Sequence, residues 1–434
     1  MKLKFIHTAD IHLDSPLRGL AAYPDAPAAR LRTATREAFG NLVSRAIEEA
    51  VDFVVIAGDV YDGDWKDFNT GLFFIRQMGR LRQAGIPVYL LYGNHDAESE
   101  MSKGLELPDN VHLFSTKKAE TFQIDRLKVA LHGRSFRTAA TMENLLPGYP
   151  DPIPGWFNIG VLHTALEGSA EHARYAPCSV GELQAKGYQY WALGHDHEHW
   201  ILQGEPTIAY PGNLQGRHIR EAGPRGALLV SAEAGEIAEI ERLEVDVLRW
   251  QALEVDISGA ETLSDAARLA GQALESLLAS VPGHLPLAVR VSFTGQSPAH
   301  RVLLGQAFQL RQEVIAQAVA LDAERLWIEK VRIASQAPDD APRRVPGDEA
   351  ADALMELENL AKSATSDADF MISLQQDIQT VLEKLPHDVR LAMPELNDLR
   401  QDPASQLPGL LAQSVPVLMA RLLEGPLPLA GREP

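Results

Sequence analysis

The chain has a single cysteine, Cys178, among its 434 residues. One thiol cannot form an internal disulfide, and it leaves no set of cysteines that could hold a zinc ion. The surrounding residues, YAPCSV, offer no activating setting for a thiolate nucleophile. We therefore predict neither a disulfide-stabilised secreted domain nor a cysteine enzyme.

Long apolar runs are also missing. No segment approaches the roughly 18 consecutive apolar residues of a membrane-spanning helix. The first residues, MKLKFIHTADIHLD, reach polar positions after two apolar ones, so they lack the apolar stretch of a signal peptide. We expect a cytoplasmic protein with no membrane partner.

An excess of positive charge is the third absence. The formal net charge is −19, and nearly half of the acidic excess lies between residues 335 and 434. Proteins that adhere broadly to nucleic acid usually carry a basic domain, so this balance argues against such adhesion. A local basic path toward the N-terminal part remains compatible with it.

The first 245 residues alternate short apolar runs with amphipathic stretches, which predicts an α/β layered domain. Helices are predicted at 30–50 and 72–83, where apolar residues recur at helical spacing. The predicted strands are Leu3–His7, Asp52–Ala57, Pro87–Tyr92, Lys128–Gly133, Phe157–Leu162, Tyr190–Gly194, Thr207–Tyr210 and Gly226–Val230.

The remaining residues divide into three predicted parts. Residues 246–335 contain strand and helix patterns typical of a smaller α+β domain, and 336–348 form a linker rich in proline and charge. Residues 349–434 are predicted to be helical, with Phe370, Leu374, Ile378, Val381 and Leu382 on one helix face. This helical region either packs on itself or docks a partner.

Metal-type side chains follow five of the predicted strands. In open α/β sheets the carboxyl ends of the strands gather distant residues into one site. Divalent ions bind carboxylate oxygen and imidazole nitrogen, and two ions about 3.5–4 Å apart need a bridging ligand such as an aspartate. The candidate ligands are Asp10, His12, Asp59, Asn94, His163, His195 and His197.

The histidines of ALGHDHEH (192–199) recur at every second position, so an extended backbone would turn His195, His197 and His199 to one side. This stretch alone fits either a metal site or an exposed polar strand. The partners at the other strand ends favour the metal site for His195 and His197. His199 has no matching motif position and is predicted to lie at the rim or on the surface.

The motifs DIH, GDVYD, GNHD, LHT and GHDH, in this order, resemble the calcineurin-like metallophosphoesterase signature over roughly the first 215 residues. The resemblance implies a β-sandwich flanked by helices, with a dinuclear site for two divalent ions, expected to be Mn²⁺. It implies that Asp10, His12, Asp59 and His197 hold one ion. It implies that Asp59, Asn94, His163 and His195 hold the other. His95 matches a residue that is no ligand but acts on the phosphate or the leaving oxygen.

A narrower resemblance points to SbcD-type DNA repair nucleases and their YhaO-like branch. FIHTADIHLD, LHTALEGSAEHARYAPCSVGEL and YPGNLQGRHIREAGPRG carry it. It implies an exonuclease acting on DNA, residues 246–335 as a capping domain and an SbcC-like ATPase partner. A homodimer is a separate expectation that does not come from the resemblance. Asp14 departs from the glycine usual there, which puts the substrate range in question.

Such a site implies a reaction in which two ions lower the pKa of a bridging water and supply hydroxide for attack on a phosphodiester phosphorus. A small-molecule phosphodiesterase or phosphatase would use the same residues. A noncatalytic scaffold for DNA ends or for the ATPase is a third alternative, although it would not need the full ligand set.

Two basic clusters accompany the motifs. Arg134 and Arg137 lie in HGRSFRT, and Arg217, His218 and Arg220 lie in GRHIRE. They are either solvated loop charges or contacts to the phosphate backbone beside the metals.

Three further polar residues are predicted to have structural roles. His7 is expected to be a buried histidine bonded to a backbone group, while Asp62 and Asp96 are expected to orient the turns of their own motifs.

Overall fold

The computed structural model describes residues 2–17, 28–62, 67–98, 106–166, 175–338, 359–360, 363–385, 399 and 402–424. The chain separates into two compact units, residues 1–250 and 251–434. Most of the predicted linker, residues 339–348, lies outside the described residues. The predicted boundaries of the linker and of the helical region therefore stay predictions.

The first unit contains two six-stranded sheets. Its helices are α1 (Ala28–Glu48), α2 (Phe68–Gln83), α3 (Asn94–Glu98) and α4 (Val180–Ala185). Its strands are β1 (Lys2–Thr8), β2 (Phe53–Ala57), β3 (Val88–Leu91), β4 (Val111–Leu113), β5 (Glu120–Ile124), β6 (Val129–Gly133), β7 (Phe157–His163), β8 (Tyr190–Gly194), β9 (Trp200–Leu202), β10 (Thr207–Tyr210), β11 (Gly226–Glu233) and β12 (Glu236–Glu244).

The first sheet is antiparallel at one edge only, whereas the second is parallel at its centre and antiparallel at both edges. The first has the order β12-β11-β1-β2-β3-β4, in which β1 to β4 run parallel and β11 is antiparallel to both of its neighbours. The second has the order β5-β6-β7-β8-β10-β9, with β5 and β9 antiparallel to the strands beside them. The carboxyl ends of β1, β2, β3, β7 and β8 carry the metal-type motifs.

The main core lies between the two sheets and is built from apolar side chains of both. The rings of Phe5 and Phe53 stack with centroids 5.0 Å apart, and Tyr190 of the opposite sheet meets Phe5 edge to face at 5.5 Å. A second apolar cluster joins α1 and α2 to the outer face of the first sheet, where Phe39 stacks on Phe74. The predicted sandwich of two sheets between helices is confirmed.

Each of the eight predicted strands corresponds to an observed strand, with ends that differ by at most three residues. The sequence prediction missed β4, β5, β9 and β12. These four are the edge strands of the two sheets. A central strand of such a sandwich is covered on both faces and forms a continuous apolar run, whereas an edge strand such as EIAEIERLE mixes polar and apolar residues.

The second unit contains a three-stranded sheet with the order β13-β14-β15, in which β14 and β15 are parallel. A Thr262 and Asp265 capping box begins α5, and an apolar cluster fills the space between the sheet and its helices. The elements are β13 (Arg249–Asp256), α5 (Leu263–Ser280), β14 (Leu287–Thr294), α6 (His300–Gly305), α7 (Ala307–Asp322), β15 (Leu326–Ile333), α8 (Ala368–Lys384) and α9 (Pro403–Glu424).

The described part of the helical region has a small core of its own. Leu374 and Ile378 of α8 pack against a cluster that includes Leu382 and Leu407. On the apolar face predicted for α8, Leu382 is buried, whereas Phe370 and Val381 are exposed within the described part of the chain. Among the described helices, none combines the length and the apolar character that a membrane crossing requires.

The inter-sheet core generates a stability prediction. Phe53 is fully buried and stacks on Phe5, so Phe53→Ala should leave a cavity and lower the free energy of unfolding by about 3–5 kcal/mol. Urea denaturation followed by circular dichroism measures this. Phe68, which is 58% exposed, is the matched control. Phe68→Ala should change the free energy of unfolding by less than about 0.5 kcal/mol. Equal effects of the two substitutions would contradict the assignment of the core.

Candidate metal centre

The candidate ligands sit on tight turns at the strand ends. Asp10, His12, Asp59 and His195 all have positive φ angles, at 50°, 44°, 54° and 105°. This left-handed region is uncommon for residues other than glycine, and such residues cluster at functional sites. The loops after β1 and β2 remain paired, with the Asp10 amide donating to the Gly58 carbonyl at 3.0 Å. The backbone thus fixes these side chains firmly.

Glycine is required where the loops approach one another. A Cβ on Gly58 would lie 2.5 Å from Nδ1 of His163, and a Cβ on Gly93 would overlap the Asp59 carboxylate. These two glycines let the loops after β2 and β3 close on the side chain that β7 supplies. A methyl group at either position would force the ligand side chains apart.

The structure brings all seven candidate ligands into one cluster. The ligand atoms of Asp10, His12 and His197 lie within 4.8 Å of one another, and so do those of Asp10, Asp59 and His163. Asn94 joins the second group, because its Oδ1 lies 3.0 Å from Nε2 of His163.

The remaining candidate ligand, His195, lies beside the second group. Its ring centroid is 5.2 Å from that of His163, and its amide donates to the Asp10 carboxylate at 3.0 Å. Asp10 belongs to both groups, so the bridging role that the resemblance gives to Asp59 stays a prediction.

The electrostatics of the cluster suit bound cations. Asp10 and Asp59 are both buried, and burial raises the pKa of Asp10 well above its usual value. Burial alone would lower the pKa of His163, but Asp59 and Asp10 raise it to about 9. The site therefore stabilises positive charge at a place where buried carboxylates converge, and the donor set fits divalent ions.

The geometry of His197 also fits a ligand. Its Nδ1 lies 2.9 Å from the buried Glu221 carboxylate, which can only accept a hydrogen bond. This contact places the proton on Nδ1 and leaves the lone pair on Nε2, which faces Nε2 of His12 at 3.2 Å. Burial lowers the pKa of His197 to about 3, so its imidazole is neutral and available to a metal.

Glu221 and Arg225 support His197, and sequence reasoning missed both. Arg217 lies 3.1 Å from the same Nδ1 of His197 but makes its shortest contact, 2.8 Å, to Glu221. We therefore assign the proton on Nδ1 to the hydrogen bond with Glu221. The buried guanidinium of Arg225 donates to the His197 carbonyl at 2.6 Å and to Asn213 at 3.2 Å. Glu221 thus holds the side chain of His197, and Arg225 holds its backbone.

His95 lies at the mouth of the cluster. Its amide donates to Asp59 at 3.0 Å, while its ring is 37% exposed and meets His12 edge to face. Asp62 Oδ1 lies 3.5 Å from Nδ1 of His12 and 3.7 Å from Nδ1 of His95, and its orienting of its own turn stays a prediction. Asp96 does orient the motif turns, accepting hydrogen bonds from the amides of Tyr61 and Gly93.

Asp14 does not present a free carboxylate to the site. Arg36 of α1 binds both of its oxygens at 2.6 and 2.5 Å, and the Thr70 hydroxyl of α2 donates to it. The residue ties the loop after β1 to both helices. Its charge is therefore offset within the fold by Arg36.

His7 is buried, as predicted. Its two ring nitrogens contact the Tyr190 hydroxyl at 2.9 Å and the Leu193 carbonyl at 3.0 Å. It connects β1 to β8 beneath the site.

The predicted basic residues occupy different places. Arg217 is largely buried beside His197, His218 is half-buried near Glu221, and Arg220 is exposed. Arg134 and Arg137 lie on the loop after β6, next to Phe136, whose ring meets that of His163 edge to face at 5.5 Å. Their contact with a substrate phosphate stays a prediction.

The contact between His197 and Glu221 yields a prediction on metal affinity. Glu221→Gln removes the charge that orients His197, so divalent metal affinity should fall by about tenfold to a hundredfold. Calorimetric titration of the metal-free chain with Mn²⁺ measures it. Glu239→Gln on the exposed face of β12 is the control and should leave affinity unchanged. Unchanged affinity in Glu221→Gln would contradict the orienting role.

Comparison with known proteins follows the same division of the chain. Residues 3–199 match the calcineurin-like phosphoesterase family, and residues 250–336 match the middle domain of metallophosphoesterase YhaO. The chain is 36% identical to the uncharacterized metallophosphoesterase YhaO of Bacillus subtilis over 301 residues, covering 68% of this chain and 72% of that protein.

Two archaeal relatives are more distant. Both are described as DNA double-strand break repair protein Mre11. The one from Methanopyrus kandleri is 27% identical, over 59% of this chain and 60% of its own length. The one from Sulfurisphaera tokodaii is 26% identical, over 49% and 57%. The extent and identity of the match to YhaO show that the chain belongs to the calcineurin-like metallophosphoesterase family, in its YhaO-like branch.

Proposed function

We propose that this metallophosphoesterase hydrolyses phosphodiester bonds in DNA, as an Mn²⁺-dependent exonuclease of DNA repair. The observation that supports hydrolysis is the cluster of carboxylate, amide and imidazole candidate ligands, which are buried except for the half-buried His197 and lie beside the partly exposed ring of His95. DNA as the substrate is supported by the relatives described as double-strand break repair proteins. The basic side chains around the site supply partners for a phosphate backbone.

Two divalent ions, when bound, supply Lewis acidity and an activated water for attack on phosphorus. Asp10, His12, Asp59 and His197 would hold one ion, and Asp59, Asn94, His163 and His195 would hold the other. The exposed ring of His95 is placed to stabilise charge on the phosphate or to deliver a proton to the leaving oxygen. Its amide meanwhile holds the Asp59 carboxylate at 3.0 Å.

We extend the proposal to the partners. The chain would act with an SbcC-like ATPase and as a homodimer, with the helical C-terminal region as the docking site for the ATPase. The exposed apolar side chains of Phe370, Ile372 and Val381 on α8 support a docking role for that region.

The substrate is tested with end-labelled linear DNA, single- and double-stranded, incubated with the chain and Mn²⁺ beside closed circular DNA and bis-p-nitrophenyl phosphate. We expect metal-dependent release of nucleotides from the linear ends and no release from the circle. Asp59→Asn, which removes a ligand charge, should abolish it. Cleavage of the small ester without cleavage of DNA would contradict DNA as the substrate. Cleavage of neither would contradict the enzyme and favour a scaffold.

His95 is predicted to serve turnover and not metal retention. His95→Ala removes the ring but keeps the amide that donates to Asp59. We expect kcat to fall by about 10²–10⁴-fold with bound Mn²⁺ unchanged, as measured by hydrolysis of bis-p-nitrophenyl phosphate and by metal analysis after gel filtration.

The comparison variants for this test are Asp59→Ala and His284→Ala. Asp59→Ala should lose both metal and activity. His284 is exposed in the second unit, so His284→Ala should leave both unchanged. A loss of metal in His95→Ala as large as that in Asp59→Ala would show that His95 is a ligand.

A further inference from the structure

A cavity of about 300 Å³ lies along the loop that follows β6. This volume is at the lower end of the roughly 300–1,000 Å³ of small-molecule sites, which suits a single nucleotide unit and is too small for a duplex. Its lining includes Arg134, Phe136, Arg137, Thr141, Met142 and Leu145. We call this cavity the Arg134 pocket.

The Arg134 pocket is fixed to the metal centre through the backbone. The amide of Phe136 donates to the Tyr92 carbonyl at 2.9 Å, and the amide of Tyr92 donates to Ser135 Oγ at 3.0 Å. Tyr92 directly precedes the GNHD motif that carries Asn94 and His95. The wall of the pocket therefore cannot shift without moving that motif.

Phe136 connects the two sites directly. It is one of the residues that line the Arg134 pocket, and its buried ring meets the ring of the candidate ligand His163 edge to face, with centroids 5.5 Å apart. One aromatic ring thus separates the pocket from the candidate metal position. The pocket and the candidate ligand His163 are therefore immediate neighbours across this ring.

Arg134 has hydrogen-bonding capacity that its described neighbours do not use. Its side chain is 22% exposed, and its Nε is buried without a hydrogen-bond partner among the described residues. Its ion-pair partner, Glu143, is 66% exposed and lies at 3.3 Å, so a ligand can displace that carboxylate at little cost. Arg137 lies exposed on the same rim. An anion with several acceptor oxygens would satisfy both guanidinium groups.

The rest of the lining combines the polar residues Ser135, Thr138, Thr141 and Glu143 with an apolar group of Phe136, Ala140, Met142 and Leu145. Phe136 and Leu145 are buried, and the Met142 side chain is 60% exposed at the pocket. A thioether packs well against a flat aromatic face, so Met142 offers a surface for a base. A cationic end beside an apolar one matches the two chemically different parts of a nucleotide.

We propose that the Arg134 pocket binds the nucleotide unit next to the scissile phosphodiester, with its flanking phosphate on Arg134 and Arg137 and its base against Met142. This proposal rests on the proposed action on DNA. In this proposal the pocket positions the DNA strand, and the ligand cluster carries out the hydrolysis.

The test measures binding to the full chain in EDTA, so that no metal contributes. The probe is deoxyadenosine 3′,5′-bisphosphate, which carries a phosphate on both sides of the sugar and so represents either strand polarity. Deoxyadenosine and inorganic phosphate are titrated in parallel by calorimetry. We expect the bisphosphate to bind more tightly than either fragment. Equal affinity for phosphate alone would overturn the nucleotide assignment and leave only an anion site.

Variants separate the two ends of the pocket. Arg134→Gln should weaken bisphosphate binding by about tenfold to a hundredfold, whereas Arg82→Gln, at an arginine exposed on α2, should not change it. Met142→Ala should weaken binding of the bisphosphate but not of inorganic phosphate. Unchanged binding in Arg134→Gln would overturn the proposal. Arg137→Gln, at an exposed position, gives the same test if Arg134→Gln fails to fold by thermal melting.

The outcomes distinguish this proposal from the proposed function. A chain that cleaves DNA but does not bind the bisphosphate overturns the pocket and leaves the nuclease standing. A chain that binds the bisphosphate with the expected variant pattern but does not cleave DNA supports the pocket and contradicts the nuclease.

Discussion

The burial of two carboxylates at one place is the constraint on which the site depends. Asp10 and Asp59 are both removed from water, and an isolated buried charge is far too costly to persist without a partner. Without metal, His163 supplies a positive charge that Asp59 and Asp10 stabilise. A divalent ion does this more completely, because it satisfies several oxygens at once. The protein's own side chains therefore compensate the buried negative charge only in part, and this favours the binding of cations.

The topology of the sandwich brings these buried carboxylates together. Parallel strands from both sheets end at the same side, and each ends in a turn that turns a polar side chain inward. The left-handed backbone at Asp10, Asp59 and His195 is a conformation that costs free energy, and the paired loops and the core beneath them maintain it. Stability of the inter-sheet core and precision of the site are therefore linked.

The sequence predicted the parts of this arrangement that short-range pattern controls. Central strands such as β2 are continuous apolar runs, and the candidate ligands follow them within a few residues. Both the strands and the candidate ligands could therefore be predicted from the sequence. Edge strands such as β12 were missed because an edge strand pairs on one side only and is partly exposed. Its sequence therefore mixes polar and apolar residues and contains no continuous apolar run. Glu221 and Arg225 were missed because they act on His197 from 24 and 28 residues away. In the sequence they look like solvated loop charges.

Arg217 shows why residue type alone could not assign the basic clusters. Its guanidinium contacts Glu221 at 2.8 Å and lies 4.0 Å from Asp62, which in turn faces His95. These alternating charges extend from Glu221, which contacts His197, to His95 at the mouth of the cluster. A negative Asp62 beside a substrate phosphate would oppose binding, and Arg217 offsets that charge. An arginine can thus promote binding of an anion through the carboxylate that it neutralises, because phosphate approach depends on the net field at the mouth.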